Sequence, residues 1–372
     1  TDRDIEAAMA GAPPADEIPR EPVEHSGIEL VDAYVQRAAA VRRGTGSVRV
    51  ALTAMHGVGG ELALRTLHLA GFDDVHSVAN QFAPDPDFPT VAFPNPEEPG
   101  ATDALLALAA RVGADIAIAL DPDADRCAVG IPTVAGWRML SGDETGWLLG
   151  DYILSGLPPE RAAASVVASS LVSSQLLAAI AADHGARHVQ TLTGFKWLAR
   201  ADADIPGARL VYAYEEAIGH CVDPEAVRDK DGISAAVLTC DLVAVLAAQR
   251  DSVPEALDRL ALRHGVHTTA ALSRRVENPQ QATAMMARLR AQPPAELAGF
   301  AVTATDVPGA DTLILAGGDD QASLRVVVRP SGTEPKVKCY TEVRRAVTGE
   351  LIAARMAADA IQKELLVAAR TW

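Results

Sequence analysis

The chain has 372 residues, 49% of them hydrophobic, which is enough for two to four domains with real cores. Its formal net charge of −16 argues against nucleic-acid or anionic-membrane binding, so an anionic ligand would need local basic pockets. The four cysteines (Cys127, Cys221, Cys240, Cys339) show no CxxC spacing, no apolar run reaches the length of a membrane span, and no signal peptide opens the sequence; the simple reading is a reduced, cytoplasmic chain.

Residues 1–27 read as irregular, because Pro13, Pro14, Pro19 and Pro22 break any helix. A periodic helix starts after Gly27 (Ile28, Val31, Tyr34, Val35). Residues 48–54 then read as a strand, and His56-Gly57-Val58-Gly59-Gly60 as a turn into a helix ending near Ala70. A strand at 75–78, a rigid loop at 93–100 and a helix beginning after Thr102 lead to the apolar run 114–120. This alternation predicts a mainly parallel sheet covered by helices, with ligands at the carboxyl ends of its strands. A second unit of the same kind has strands at 164–169, 189–192 and 210–214 and helices at 171–183 and 233–248. From about His264 the pattern becomes α+β, with strands at 268–276, 300–305, 312–316, 323–329 and 338–343 and helices at 280–291 and 349–369. The expected division is a tail at 1–27, doubly wound α/β domains at 28–157 and 158–262, and a C-terminal α+β domain at 263–372.

The stretch Asp121-Pro122-Asp123-Ala124-Asp125-Arg126 leaves the end of the buried strand 114–120. A turn there can fold all three carboxylates onto one point, a cluster of hard oxygens that suits Mg²⁺, while Arg126 adds a fixed cation ready for a phosphate. A solvated acidic turn is the bland alternative. An EF-hand fails, because loop position 6 is Arg126 rather than Gly and position 12 is Pro132 rather than Glu. A phosphatase with an aspartyl nucleophile also places acids after a strand, but leaves the remaining loops unexplained.

Four more loops carry chemistry. Arg329-Pro330-Ser331-Gly332-Thr333-Glu334-Pro335-Lys336 offers a guanidinium fork, two hydroxyls and a glycine that lets backbone N–H groups approach an anion. Tyr214-Glu215-Glu216-Ala217-Ile218-Gly219-His220 offers two carboxylates to accept from sugar hydroxyls, and His220 as a proton shuttle. Thr193-Gly194-Phe195-Lys196 and Arg228-Asp229-Lys230-Asp231-Gly232 place Lys196 and Lys230 near strand ends, where each could equally be a surface charge.

Together LTAMHGVGG (52–60), FPNPEEPGA (93–101), DPDADR (121–126), SGDETGWLLGDYIL (141–154), TGFKWLA (193–199), YEEAIGH (214–220), RDKDGISAA (228–236) and RPSGTEPKVK (329–338) resemble, in order, the α-D-phosphohexomutase family of phosphoglucomutases and phosphomannomutases. FPNPEEPGA with EEAIG looks like the branch that includes bacterial phosphoglucomutases and phosphopentomutase-like enzymes. The resemblance implies a four-domain, heart-shaped architecture with one loop from each domain in a central cleft. It implies Mg²⁺ on Asp121, Asp123 and Asp125, sugar recognition by Glu215, and phosphate binding by Arg329, Ser331, Gly332 and Thr333. Lys196 would lie near the substrate, and His220 and Lys230 fall where family members place candidate acid/base or phosphate-facing groups; with the fixed cation Arg126 they are the expected catalytic residues. The implied reaction moves a phosphoryl group between the 1- and 6-positions of a sugar phosphate, with a sugar 1,6-bisphosphate as intermediate and activator.

Two departures stand out. Ala217 occupies a position that is commonly Ser in the sugar loop. No segment here resembles the loop of the family's first domain that bears the phosphorylated serine, so this chain is expected to be a fragment or a truncated relative, inactive by itself. The alternative is a non-catalytic sugar-phosphate-binding or regulatory protein.

Overall fold

Each apolar run expected to be a strand lies in one of three sheets. The computed structural model describes residues 2–22, 27–331 and 335–372. These fall into two compact units, Thr1–Tyr34 and Val35–Trp372. In the first unit Asp2–Ala10 is helical, where irregular chain is expected from the prolines. Those prolines start only at Pro13, beyond the helix end, and DRDIEAAMA is free of breakers.

The first sheet has the order Val75–Ser77, Val50–Thr53, Ile116–Leu120, Cys127–Thr133, Gly136–Met139. Val50–Thr53 pairs in parallel with the strands on both its sides, and Ile116–Leu120 pairs antiparallel with Cys127–Thr133. The sheet is therefore mixed, and the aspartate loop is a hairpin connection rather than an entry into a helix. Buried runs such as IAIAL, enclosed on both faces, explain the lack of polar alternation.

The second sheet has the order Arg187–Thr191, Ser165–Ser170, Arg209–Glu215, Gly219–Cys221, the last pair antiparallel. The helix Gly232–Ala248 is apolar all round because it is buried among both sheets' layers, packing on the helix Gly60–Leu69 and on the strands Ile116–Leu120 and Gly219–Cys221. Asp231 caps it, accepting from the Ile233 N–H at 3.1 Å.

The helix expected at 171–183 begins only at Leu176. Residues 171–175 are held in an irregular path by tertiary hydrogen bonds described below. The helix Val253–His264, capped by Ser252, is an addition to the expected elements; it leads into a six-stranded sheet ordered Val266–Arg275, Lys336–Arg345, Ala322–Pro330, Leu313–Gly318, Phe300–Asp306, Glu296–Leu297. This sheet is antiparallel throughout, and the helices Pro279–Ala291 and Leu351–Ala369 cover its core around Met286, Leu315, Val328 and Val343. The architecture is α/β followed by a C-terminal α+β sheet. Among the described residues no single helix is long and apolar enough to cross a membrane.

Candidate active site

Ligand oxygens of Asp121, Asp123 and Asp125 all lie within 4.8 Å of one another. That spacing is compact enough for the three carboxylates to share one hard divalent cation. The three carboxylates differ in setting: Asp121 is buried, Asp125 half-buried and Asp123 exposed. Asp121 accepts twice from Arg126, at 3.0 Å from its backbone N–H and at 2.7 Å from Nε. Burial pushes the Asp121 carboxyl up against the pull of these two bonds. Lys230 reaches Asp125 with its ammonium at 2.5 Å. Burial opposes the Lys230 charge, but Asp125, Asp229 and Glu215 outweigh it and hold the group above its ordinary range. All-oxygen donors on one loop, with cations already balancing two of them, fit a hard divalent ion.

The loop owes its shape to its neighbours. Ala124 stands at φ 59°, a conformation a non-glycine residue adopts only under tertiary support. From one side the Val58 N–H donates to the Pro122 carbonyl at 2.8 Å, and a Cβ on Gly59 would meet the Ala124 methyl at 2.4 Å. From the other side the Gly232 N–H donates to the Ala124 carbonyl at 3.0 Å, where a Cβ would come within 2.5 Å of the Arg126 carbonyl oxygen. HGVGG and KDG thus clamp the aspartate loop. Their glycines signal a turn in sequence, but the sequence does not show what the turn touches.

The sugar-loop residues sit next to this site. The Cys127 N–H, at the exit of the aspartate loop, donates to the Ile218 carbonyl at 3.1 Å. Glu215 Oε1 accepts from the Gly194 N–H at 2.8 Å, which joins the loops at 193–196 and 214–220. Arg329 donates to the Thr193 hydroxyl, so the C-terminal sheet meets the same point. Ser331 is half-buried, and its N–H donates to the Lys336 carbonyl at 2.8 Å. Gly332 and Thr333 lie outside the described residues. Lys196 is exposed, its ammonium 5.4 Å from the Trp197 ring centroid. A cavity of about 620 Å³ opens beside Asp121, Asp123 and Arg126, walled by Val58, Phe88 and Phe93.

Two expectations are corrected. His220 is fully buried; its Nδ1 lies 3.0 Å from the Tyr212 hydroxyl and its ring stacks with Tyr212 and Tyr214. Burial pushes its pKa down to about 3, so the imidazole is a neutral core group with no surface to exchange protons in a cleft. Glu216 lies in the turn just beyond the strand that ends at Glu215 and turns to other partners: its Oε2 accepts from Ser170 and Ser173 at 3.0 and 3.1 Å. Burial, with the Asp143 and Glu215 carboxylates adding, raises it to about 7. It supports the sugar loop from behind.

Comparison with known proteins follows the same order of parts. Family models described as phosphoglucomutase/phosphomannomutase alpha/beta/alpha domain II, alpha/beta/alpha domain III and C-terminal domain match residues 30–134, 141–262 and 274–359. A probable phosphomannomutase of Haemophilus influenzae is 40% identical over 326 residues, 85% of this chain and 64% of that protein. A probable phosphoribomutase of Schizosaccharomyces pombe is 33% identical over 82% of this chain and 59% of that protein. The chain thus spans less than two thirds of these relatives. A solved phosphoglucomutase/phosphomannomutase family protein from Burkholderia thailandensis shares the fold with a TM-score of 0.65 at 22% identity, covering 92% of this chain and 64% of that one.

Proposed function

This chain belongs to the phosphoglucomutase/phosphomannomutase family, and we propose that it supplies the metal-, sugar- and phosphate-binding parts of a mutase that moves a phosphoryl group between the two ends of a hexose or pentose phosphate. The observation that carries this reading is the convergence of the Asp121–Asp123–Asp125 cluster, Lys230, Glu215 and Arg329 from three separate sheets.

Asp121, Asp123 and Asp125 would hold Mg²⁺, which when bound neutralises charge on a transferring phosphoryl group. Arg126 and Lys230 add fixed positive charge beside that point. Arg329 and Ser331, with Gly332 and Thr333, grip the non-reacting phosphate and so position the reacting end. Glu215, one oxygen committed to Gly194, offers the other to sugar hydroxyls. Swinging of the C-terminal sheet onto the cleft would exclude water and suppress hydrolysis. The four buried cysteines, unpaired here, suit a reducing, cytoplasmic setting.

Transfer between two ends of one sugar requires a protein-bound phosphoryl carrier and a bisphosphate that turns over in the cleft. No serine of this chain lies in a segment like the family's carrier loop. Assayed alone with Mg²⁺ and glucose 1,6-bisphosphate, the chain should convert negligible glucose 1-phosphate or ribose 1-phosphate, whereas a longer product of the same gene bearing a carrier serine should convert one of them. Robust turnover by this chain alone would place the carrier within it. Net release of inorganic phosphate would turn the assignment toward a phosphatase.

A further inference from the structure

The loop 171–175 is tied to two different parts of the molecule. On one side is Glu342, on the strand Lys336–Arg345 of the C-terminal sheet. Its buried carboxylate accepts from the Ser174 hydroxyl at 2.5 Å, from the Gln175 N–H at 2.9 and 3.1 Å, and from His267 Nδ1 at 2.8 Å. Arg325, from the same sheet, donates to the Leu171 carbonyl. Leu171 and Val172 pack on Val327, with Ile314 and Tyr340 at the edge.

On the other side is the sugar loop. Ser173 Oγ donates to Glu216 Oε2 at 3.1 Å and accepts from the Glu216 N–H at 3.1 Å. The Ser174 N–H donates to Asp143, which also accepts from the Tyr214 hydroxyl at 2.9 Å. Glu216 is covalently next to Glu215. A cavity of about 500 Å³, lined by Asp143, Glu216, Arg325 and Glu342 among others, separates the two sides elsewhere. Residues 171–175 are the strut that crosses beside it. These bonds also explain why the helix starts at Leu176: a charged acceptor and two serine-mediated ties outcompete one extra helical turn.

We propose that this strut couples the position of the C-terminal sheet to the sugar-reading loop, with Glu342 as a positioning residue that never touches the substrate. The proposal rests on the mutase reading above. Arg329–Thr193 ties the same two bodies together at the cleft, so Glu342–Ser174 acts as the pivot behind it. A ligand that spans both the Arg329 loop and Glu215 must find the two loops in register, whereas inorganic phosphate meets only the Arg329 loop. Burial alone would raise the Glu342 carboxyl, but His267, Ser174 and Gln175 outweigh it and hold it below its usual range, so the strut meets a full negative charge.

The test uses this chain, Glu342→Gln and the milder Ser174→Ala. Glu342→Gln keeps the shape but turns an amide N–H₂ toward existing donors. Calorimetric titration with inorganic phosphate should change less than about twofold, while affinity for glucose 1,6-bisphosphate should fall about tenfold in Glu342→Gln and less in Ser174→Ala. In the unliganded chain, hydrogen–deuterium exchange in Glu342→Gln should rise over 214–219 as well as over 171–175. An exchange increase confined to 171–175, or equal losses for both probes, overturns the coupling. Should the parent chain bind neither probe while the exchange change still reaches 214–219, the mutase reading falls and the coupling stands.

Discussion

Gly59 and Ala124 are in such close contact that a Cβ on Gly59 would lie 2.4 Å from the Ala124 methyl. Gly59 has an ordinary φ of −81°, so a side chain there is excluded by contact alone, not by backbone strain. Ala124 sits between Asp123 and Asp125, and its left-handed conformation aims both carboxylates. Gly59→Ala should therefore push the aspartate loop out of shape. We expect a stability loss of about 1–3 kcal/mol from overpacking. Mn²⁺ affinity, read by electron paramagnetic resonance, should fall at least about tenfold. Unchanged Mn²⁺ affinity in a folded variant would show that the clamp does not set the site.

The three aspartates should respond differently to neutralisation. Asp123 is exposed, so Asp123→Asn should leave stability in metal-free buffer within about 0.5 kcal/mol while greatly weakening metal binding. Asp121 is buried and carries both Arg126 bonds. Asp121→Asn should cost about 1–3 kcal/mol even without metal. Urea denaturation of both variants, with and without Mg²⁺, separates the two effects.

Lys230 competes with a cation for Asp125. Lys230→Met removes both the competing ion pair and a repulsive charge. Divalent-cation affinity should rise by about two- to tenfold, most at low ionic strength. Binding of glucose 1-phosphate should weaken at the same time. Calorimetry with each ligand in turn checks the opposite signs.

Stability should fall on the alkaline side through Glu216. Its carboxyl titrates near 7 in the fold against an ordinary 4.5, so the folded state binds the proton more readily. Its contribution is complete below about pH 4.5 and is lost as pH rises to about 7, with a slope of at most about 1.4 kcal/mol per pH unit. Asp143, raised to about 6 by burial, acts in the same direction. His220 acts oppositely: held near 3 against an ordinary 6.5, it contributes fully above about pH 6.5 and loses that contribution as pH falls. Glu216→Gln should flatten the decline between about pH 5 and about pH 7 in denaturation curves. An identical slope in parent and variant would show that Glu216 titrates normally.

Sequence alone determined the strand-and-helix alternation, the aspartate spacing and the order of the loops, because these follow from local periodicity and from residue chemistry at fixed separations. It could not decide which way a side chain at a strand end points once neighbours compete for it. Glu215 and Glu216 look equivalent in YEEAIGH; the strand ends between them, leaving Glu215 on Gly194 while the turn carries Glu216 to Ser170 and Ser173. His220 looks like a proton shuttle beside two acids, and only packing against Tyr212 and Tyr214 makes it a neutral core group. The start of the helix at Leu176 and the left-handed turn at Ala124 are likewise tertiary decisions. At Leu176 the deciding contacts come from Glu342, 166 residues along the chain from Leu176, and from Glu216. At Ala124 they come from the clamp of Gly59 and Gly232. Local propensity has no knowledge of such partners, so a buried charge or a glycine contact from a distant segment overrides it.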